Sequence, residues 1–147
     1  MRILIWLILI LPAATSSQEE KEKWQRIYTG EDSVIEINVS KVTFGDRNIG
    51  RVRFRTVLSK SQAVKNMPAE KYKSRLETIE FKCTEKRYRI YETSLIDSQG
   101  KAIQSDEGDL SEEWKVLKRG GMMERLFGPA CRLIDEKRLN PGRWTQP

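Results

Sequence analysis

Arg51-Val52-Arg53-Phe54-Arg55-Thr56-Val57-Leu58 is the stretch on which the fold turns. Val52, Phe54, Thr56 and Leu58 occupy every second position, and Arg51, Arg53 and Arg55 fill the places between them. A repeat of two marks a β-strand, because successive side chains point to opposite faces. One face is apolar and the other carries three guanidinium groups. A strand with one wet face belongs in an antiparallel sheet rather than in a parallel sheet covered on both sides.

The same pattern continues outward. Upstream, Ser33–Val39 places Ile35, Ile37 and Val39 on one face and Glu36 and Asn38 on the other, and Trp24–Tyr28 alternates before the turn residues Thr29-Gly30-Glu31-Asp32. Downstream, Arg75–Cys83 aligns Ile79, Phe81 and Cys83 toward the core, and Arg87–Leu95 returns after Thr84-Glu85-Lys86. Asp97-Ser98-Gln99-Gly100 is a strong turn signal. Ala102–Gln104 starts a short strand, Ser105–Glu113 is acidic and reads as a loop, and Trp114–Leu117 is a last short strand. Between the two central strands, Ser59–Tyr72 is polar, contains Pro68 and also reads as a loop. The period changes after Gly120-Gly121. Met122, Leu126, Ala130, Leu133 and Ile134 recur at helical spacing, with Met123 and Phe127 beside them. Gly128-Pro129 interrupts the run, either as a kink or as the start of a second short helix. The expected class is α+β, an antiparallel sheet against one C-terminal helix.

The N-terminus reads as an export signal. Arg2 precedes the apolar run Ile3–Leu11, then come Pro12 and the small residues Ala13–Ser17. The run is shorter than the roughly 18 residues needed to cross a bilayer. No membrane span is expected once residues 1–17 are removed, and no cysteine stands there to take a lipid anchor. The remaining chain has the length of one domain, expected over residues 24–135 with a flexible tail over 136–147.

The chain carries 27 Lys and Arg against 21 Asp and Glu, a net charge of +6; loss of Arg2 with the leader leaves 26 against 21, or +5. For an exported protein this balance favours anionic envelope polymers, sulfated glycans, lipid headgroups or acidic protein surfaces over nucleic acid. There is no histidine, which excludes Ser-His-Asp and Cys-His catalysis and histidine metal sites. No cofactor or metal is expected. Cys83 and Cys131 are the only cysteines. In an oxidising compartment they form one bond; in a reducing one they stay free.

The sharpest surface signal is the stripe Arg51, Arg53 and Arg55, with Lys86, Arg87 and Arg89 on a neighbouring part of the sheet. Such a surface binds sulfates, phosphates or carboxylates through forked hydrogen bonds. The competing reading is a solvated face paired across strands with Glu77, Glu80 or Glu92. Adjacent acids at Asp106-Glu107 and Glu112-Glu113 resemble the carboxylate pairs of glycosidases, but neighbours in a strand point apart. Lys118-Arg119-Gly120-Gly121 reads as a turn before the helix. Asn38-Val39-Ser40 fits the N-glycosylation pattern.

The ordered elements Trp24–Tyr28, Ser33–Val39 and Gly50–Leu58, the run Tyr72–Cys83, Arg87–Tyr91, Asp97–Gly100, Trp114 and the helix through Cys131 together resemble the surface-adhesin protein E family of exported bacterial domains. The resemblance spans Trp24 to Ile134. It implies a sheet of about six strands backed by the helix, with Cys83 joined to Cys131. It also implies a surface or periplasmic binding protein rather than an enzyme, and a homodimer. The partner is then a host-matrix or envelope macromolecule, met through the sheet face or the loops. A different class, a small periplasmic inhibitor such as a lysozyme inhibitor, needs a loop to enter a cleft. Ser59–Lys71 and Ser105–Glu113 are the candidates for that loop.

Overall fold

A computed structural model of the chain describes residues 21–46, 48–107 and 113–141. The export signal expected over 1–17 and the tail beyond Pro141 lie outside the described residues, as does Glu112. Along the chain run β1 (Trp24–Thr29), β2 (Ser33–Phe44), β3 (Ile49–Val64), β4 (Met67–Lys82), β5 (Arg87–Ile96), β6 (Ala102–Glu107), β7 (Lys115–Val116) and α1 (Met122–Leu139). The strands form one antiparallel sheet in the order β1-β2-β3-β4-β5-β6, and β7 pairs with β5. The expected α+β architecture is the one observed.

The alternation at 51–58 has the consequence its period dictates. Val52 and Phe54 on β3 are sealed from solvent together with Ile35 and Ile37 on β2 and Ile79 and Phe81 on β4. Leu126, Ala130, Leu133 and Ile134 of α1 close this layer from one side. Phe81 meets Phe54 and Phe127 edge-on, at ring centroid distances of 6.1 and 5.7 Å, the arrangement that aromatic quadrupoles favour. The helix comes close because Gly50 has no side chain. A Cβ there would lie 2.5 Å from Ile134 Cδ1. Cys83, just past β4, is bonded to Cys131 with a Cα–Cα distance of 5.8 Å, so the helix is stapled to the sheet.

Five local expectations are corrected. Ser59–Tyr72 is not a loop: it forms the distal half of a long β3–β4 hairpin that turns at Lys65-Asn66. Pro68 fits because it sits where the ladder skips register, between the pairs Ala63↔Lys71 and Val64↔Met67, and no ladder donor is required of it. Ser105–Glu107 extends β6 instead of starting a loop. Pro129 neither ends α1 nor starts a second helix; α1 is continuous around it. The missing hydrogen bond costs about 3 kcal/mol in an isolated helix. Here the buried stripe and the staple at Cys131 hold the segment helical on either side. The helix also runs on through Leu139, over residues whose polarity reads as tail. Finally, Met122 is exposed, and Met123 takes the place against the core.

Candidate functional site on the open sheet face

The sheet face turned away from α1 is built from the positions between the core residues. Arg51, Arg53 and Arg55 project there from β3, as the alternation requires. Cross-strand register places Arg51 opposite Glu80, and Glu80 opposite Arg89. The Glu80 carboxylate accepts from Arg51 Nε at 2.7 Å through one oxygen and from Arg89 Nε through the other. Glu80 itself is fully buried. An isolated carboxylate in that position would be prohibitively desolvated, whereas one held by two guanidinium groups is satisfied.

The remaining arginines are paired as well. Arg55 donates to Glu36 from Nε and Nη2, at 2.8 and 2.6 Å, across the β2–β3 pair. Arg53 Nη1 donates to Glu22 at 2.8 Å, which pins the segment before β1 onto this face. Of the partners that sequence spacing nominates, only Glu80 engages the stripe: Glu77 pairs with Arg75 and Glu92 accepts from Thr78. Glu36 was legible on the polar side of β2. Glu22, in the charged lead-in, carried no signal of its role.

Aromatic rings complete the layer. Arg51 lies 4.2 Å from the Tyr91 ring centre and Arg55 4.5 Å from that of Trp24. Lys82 and Arg89 both lie 4.6 Å from the Trp114 ring. Tyr91 reaches Arg51 because it is the extra residue of a β-bulge, between the pairs Thr78↔Glu92 and Ile79↔Ile90. These rings are the flat faces against which the cations stack. The side chains of Arg51, Arg53 and Arg55 stay 28, 35 and 34 % exposed, so they remain within reach of a partner.

Lys86 and Arg87 lie at one end of this face. Lys86 sits in the turn after β4 in a left-handed conformation (φ 51°), and Arg87 opens β5 opposite Lys82. The structure therefore joins Arg51 and Arg89 around Glu80 and leaves Lys86 and Arg87 beyond the lattice. Asp106 and Glu107 are neighbours on exposed β6, and Asp106 accepts from Gln104. Asn38 of the glycosylation pattern is fully buried. Its Oδ1 accepts from Ser40 N, Ser40 Oγ and Lys41 N and so shapes the bulge in β2 between Ile37 and Val42. No described helix is long and apolar enough to cross a membrane.

Comparison with known proteins agrees with this architecture. The family model described as "Surface-adhesin protein E" matches residues 24–132. No curated protein sequence matches the chain. Among solved structures, the fold is similar to that described as "The structure of Haemophilus influenzae protein E", with a TM-score of 0.54 and 12% identity over 74% of this chain and 83% of that one. That identity speaks for a shared fold alone. The family match covers most of the sheet and the helix as far as Arg132, and by it the chain belongs to the surface-adhesin protein E family.

Proposed function

We propose that the protein is an exported, non-catalytic binding module that grips an extracellular or envelope macromolecule through the sheet face opposite the helix. The observation that carries this reading is the layer of half-exposed arginines stacked on Trp24, Tyr91 and Trp114. Tyr, Trp and Arg are the residue types that dominate binding energy at protein interfaces. Here their carboxylate partners hold them in fixed orientations, which lowers the ordering cost of association. Each guanidinium has five donors. Arg51 uses its Nε on Glu80 and Arg53 one Nη on Glu22, so both keep donors for a partner's carboxylate, sulfate or carbonyl groups. Lys86 and Arg87 extend the same surface at its end.

The test is solid-phase binding of the exported protein to host-matrix and envelope fractions. Variants Trp24→Ala and Arg53→Ser are compared with Glu136→Gln on the helix side. Selective loss in the first two supports the assignment. Equal binding by all three moves the contact off this face. A lysozyme assay at excess protein tests the inhibitor class independently, since lost lysozyme activity would replace the adhesin reading.

A further inference from the structure

β1 stands at one end of the strand order, so β2 pairs with one of its edges and no described strand pairs with the other. An edge of this kind presents a row of unpaired N–H and C=O groups. On the helix side of β1 runs an open groove of about 460 Å³, between the strand and the flank of α1. Ile27, Val39, Pro129 and Leu133 form its apolar walls, and Gln25, Arg132 and Glu136 its rim. Ile27 reaches the groove as the extra residue of a β-bulge, between the pairs Arg26↔Glu36 and Tyr28↔Ile35. The volume is within the range of about 300–1,000 Å³ usual for ligand sites.

The edge and the rim together define the chemistry of an occupant. The edge offers donors and acceptors in alternation, which a polypeptide backbone matches. The rim combines a cation, an anion and an amide, and among the described residues none of these three side chains has an ion-pair or hydrogen-bond partner. A mixed rim of this kind favours neither a polyanion nor a hydrocarbon chain. On the opposite face of β1, Arg26 is exposed, and among the described residues it has no ion pair, since its cross-strand neighbour Glu36 is taken by Arg55. The other end of the sheet is guarded. β6 exposes Asp106 and Glu107, charges that blunt an edge, and Gln104 closes on Asp106.

We infer that the free edge of β1 takes up an extended polypeptide as an added strand, one in which apolar and acidic residues alternate. Main-chain hydrogen bonds hold such a strand, and pockets for its alternate side chains select it. Successive residues point to opposite faces. The apolar ones therefore enter the groove beside Ile27 and Pro129, while the acidic ones meet Arg26 and stay away from Glu136. This site is distinct from the arginine layer, and either assignment can fail without the other.

The experiment is NMR titration of the exported protein with a short peptide of alternating Val and Glu. One control has the same composition in two blocks, and another is the alternating peptide methylated at its amide nitrogens. Only the unmodified alternating peptide is expected to bind. Its shifts gather at β1 and on α1 from Pro129 to Glu136, and amide exchange slows along β1. Ile27→Ser weakens binding about tenfold through lost apolar contact. Arg26→Gln weakens it by up to about fivefold at low salt, a difference that high salt removes. Ile27 is half-buried and Arg26 exposed, and circular dichroism checks that both variants fold. Absence of binding overturns the inference, as does equal binding of the block or methylated peptide. Shifts confined to Arg51, Arg53 and Arg55 overturn it as well and leave the arginine layer's role standing. Protection along β1 that grows with protein concentration, with no peptide added, assigns the edge to a second copy and overturns it too.

Discussion

Replacing Glu80 by Ala is the sharpest perturbation of the open face. The carboxylate is fully buried and accepts from Arg51 and Arg89 on the strands at either side. Its removal leaves two guanidinium groups facing each other with nothing between them. Breaking a buried pair by deleting one partner costs about 3–5 kcal/mol. The arginine side chains are 28 and 16 % exposed, so water recovers part of that loss. The expected destabilisation is therefore at the low end, about 3 kcal/mol. For a domain of this size, that lowers Tm by roughly 10 °C. Urea unfolding should show a lower midpoint at unchanged slope, because the surface exposed on unfolding is the same. A double-mutant cycle of Glu80→Ala with Arg51→Ala should return a coupling of about 1–3 kcal/mol, as expected of contacting charges. A Glu80→Ala protein within about 0.5 kcal/mol of the parent, the range of ordinary surface changes, would refute the view that this ion triad organises the face.

Other outcomes follow from single contacts. The Cys83–Cys131 bond spans 48 positions of sequence, and replacing both cysteines by Ala should cost about 4 kcal/mol by loop entropy; unfolding with and without reductant checks it. Gly50→Ala drives a methyl group into Ile134, 2.5 Å from its Cδ1, and should cost about 1–3 kcal/mol as overpacking does. Adding Ile134→Ala should relieve that strain, which a thermal-melt comparison of single and double variants would show. Asn38→Ala strips the acceptor from Ser40 and Lys41, and about 2 kcal/mol of stability should go with it; amide exchange at Lys41 should then accelerate. The pair Arg53–Glu22 is about one-third exposed at each partner, so Glu22→Gln should change stability by no more than about 1 kcal/mol, and 1 M salt should erase the difference.

Much of this architecture is written in local periodicity. A repeat of two at 51–58, at 33–39 and at 75–83 predicts strands with one dry face. The change to helical spacing after Gly121 predicts a helix whose stripe of Leu126, Ala130, Leu133 and Ile134 is the part observed buried. These signals are legible because burying a face imposes its own period on the residues that form it. Where no face is buried, the period is lost. The distal hairpin over Ser59–Lys73 is mostly polar, and its strand character comes from a register inherited from the core below, so it reads as a loop. Pro129 misleads for the converse reason. The helix penalty of proline is local, while the packing and the staple that outweigh it come from elsewhere in the chain.

The arginine stripe divides in the same way. Alternation alone placed Arg51, Arg53 and Arg55 on one face, since two residues per repeat leaves no other choice. Which carboxylates and rings meet them depended on strand order, on register and on a bulge that turns Tyr91 toward Arg51. Those are relations between segments far apart in sequence, with Glu22, Glu36 and Glu80 drawn from three different stretches. A single strand cannot encode its neighbours' offset, so only the folded sheet decided the partners.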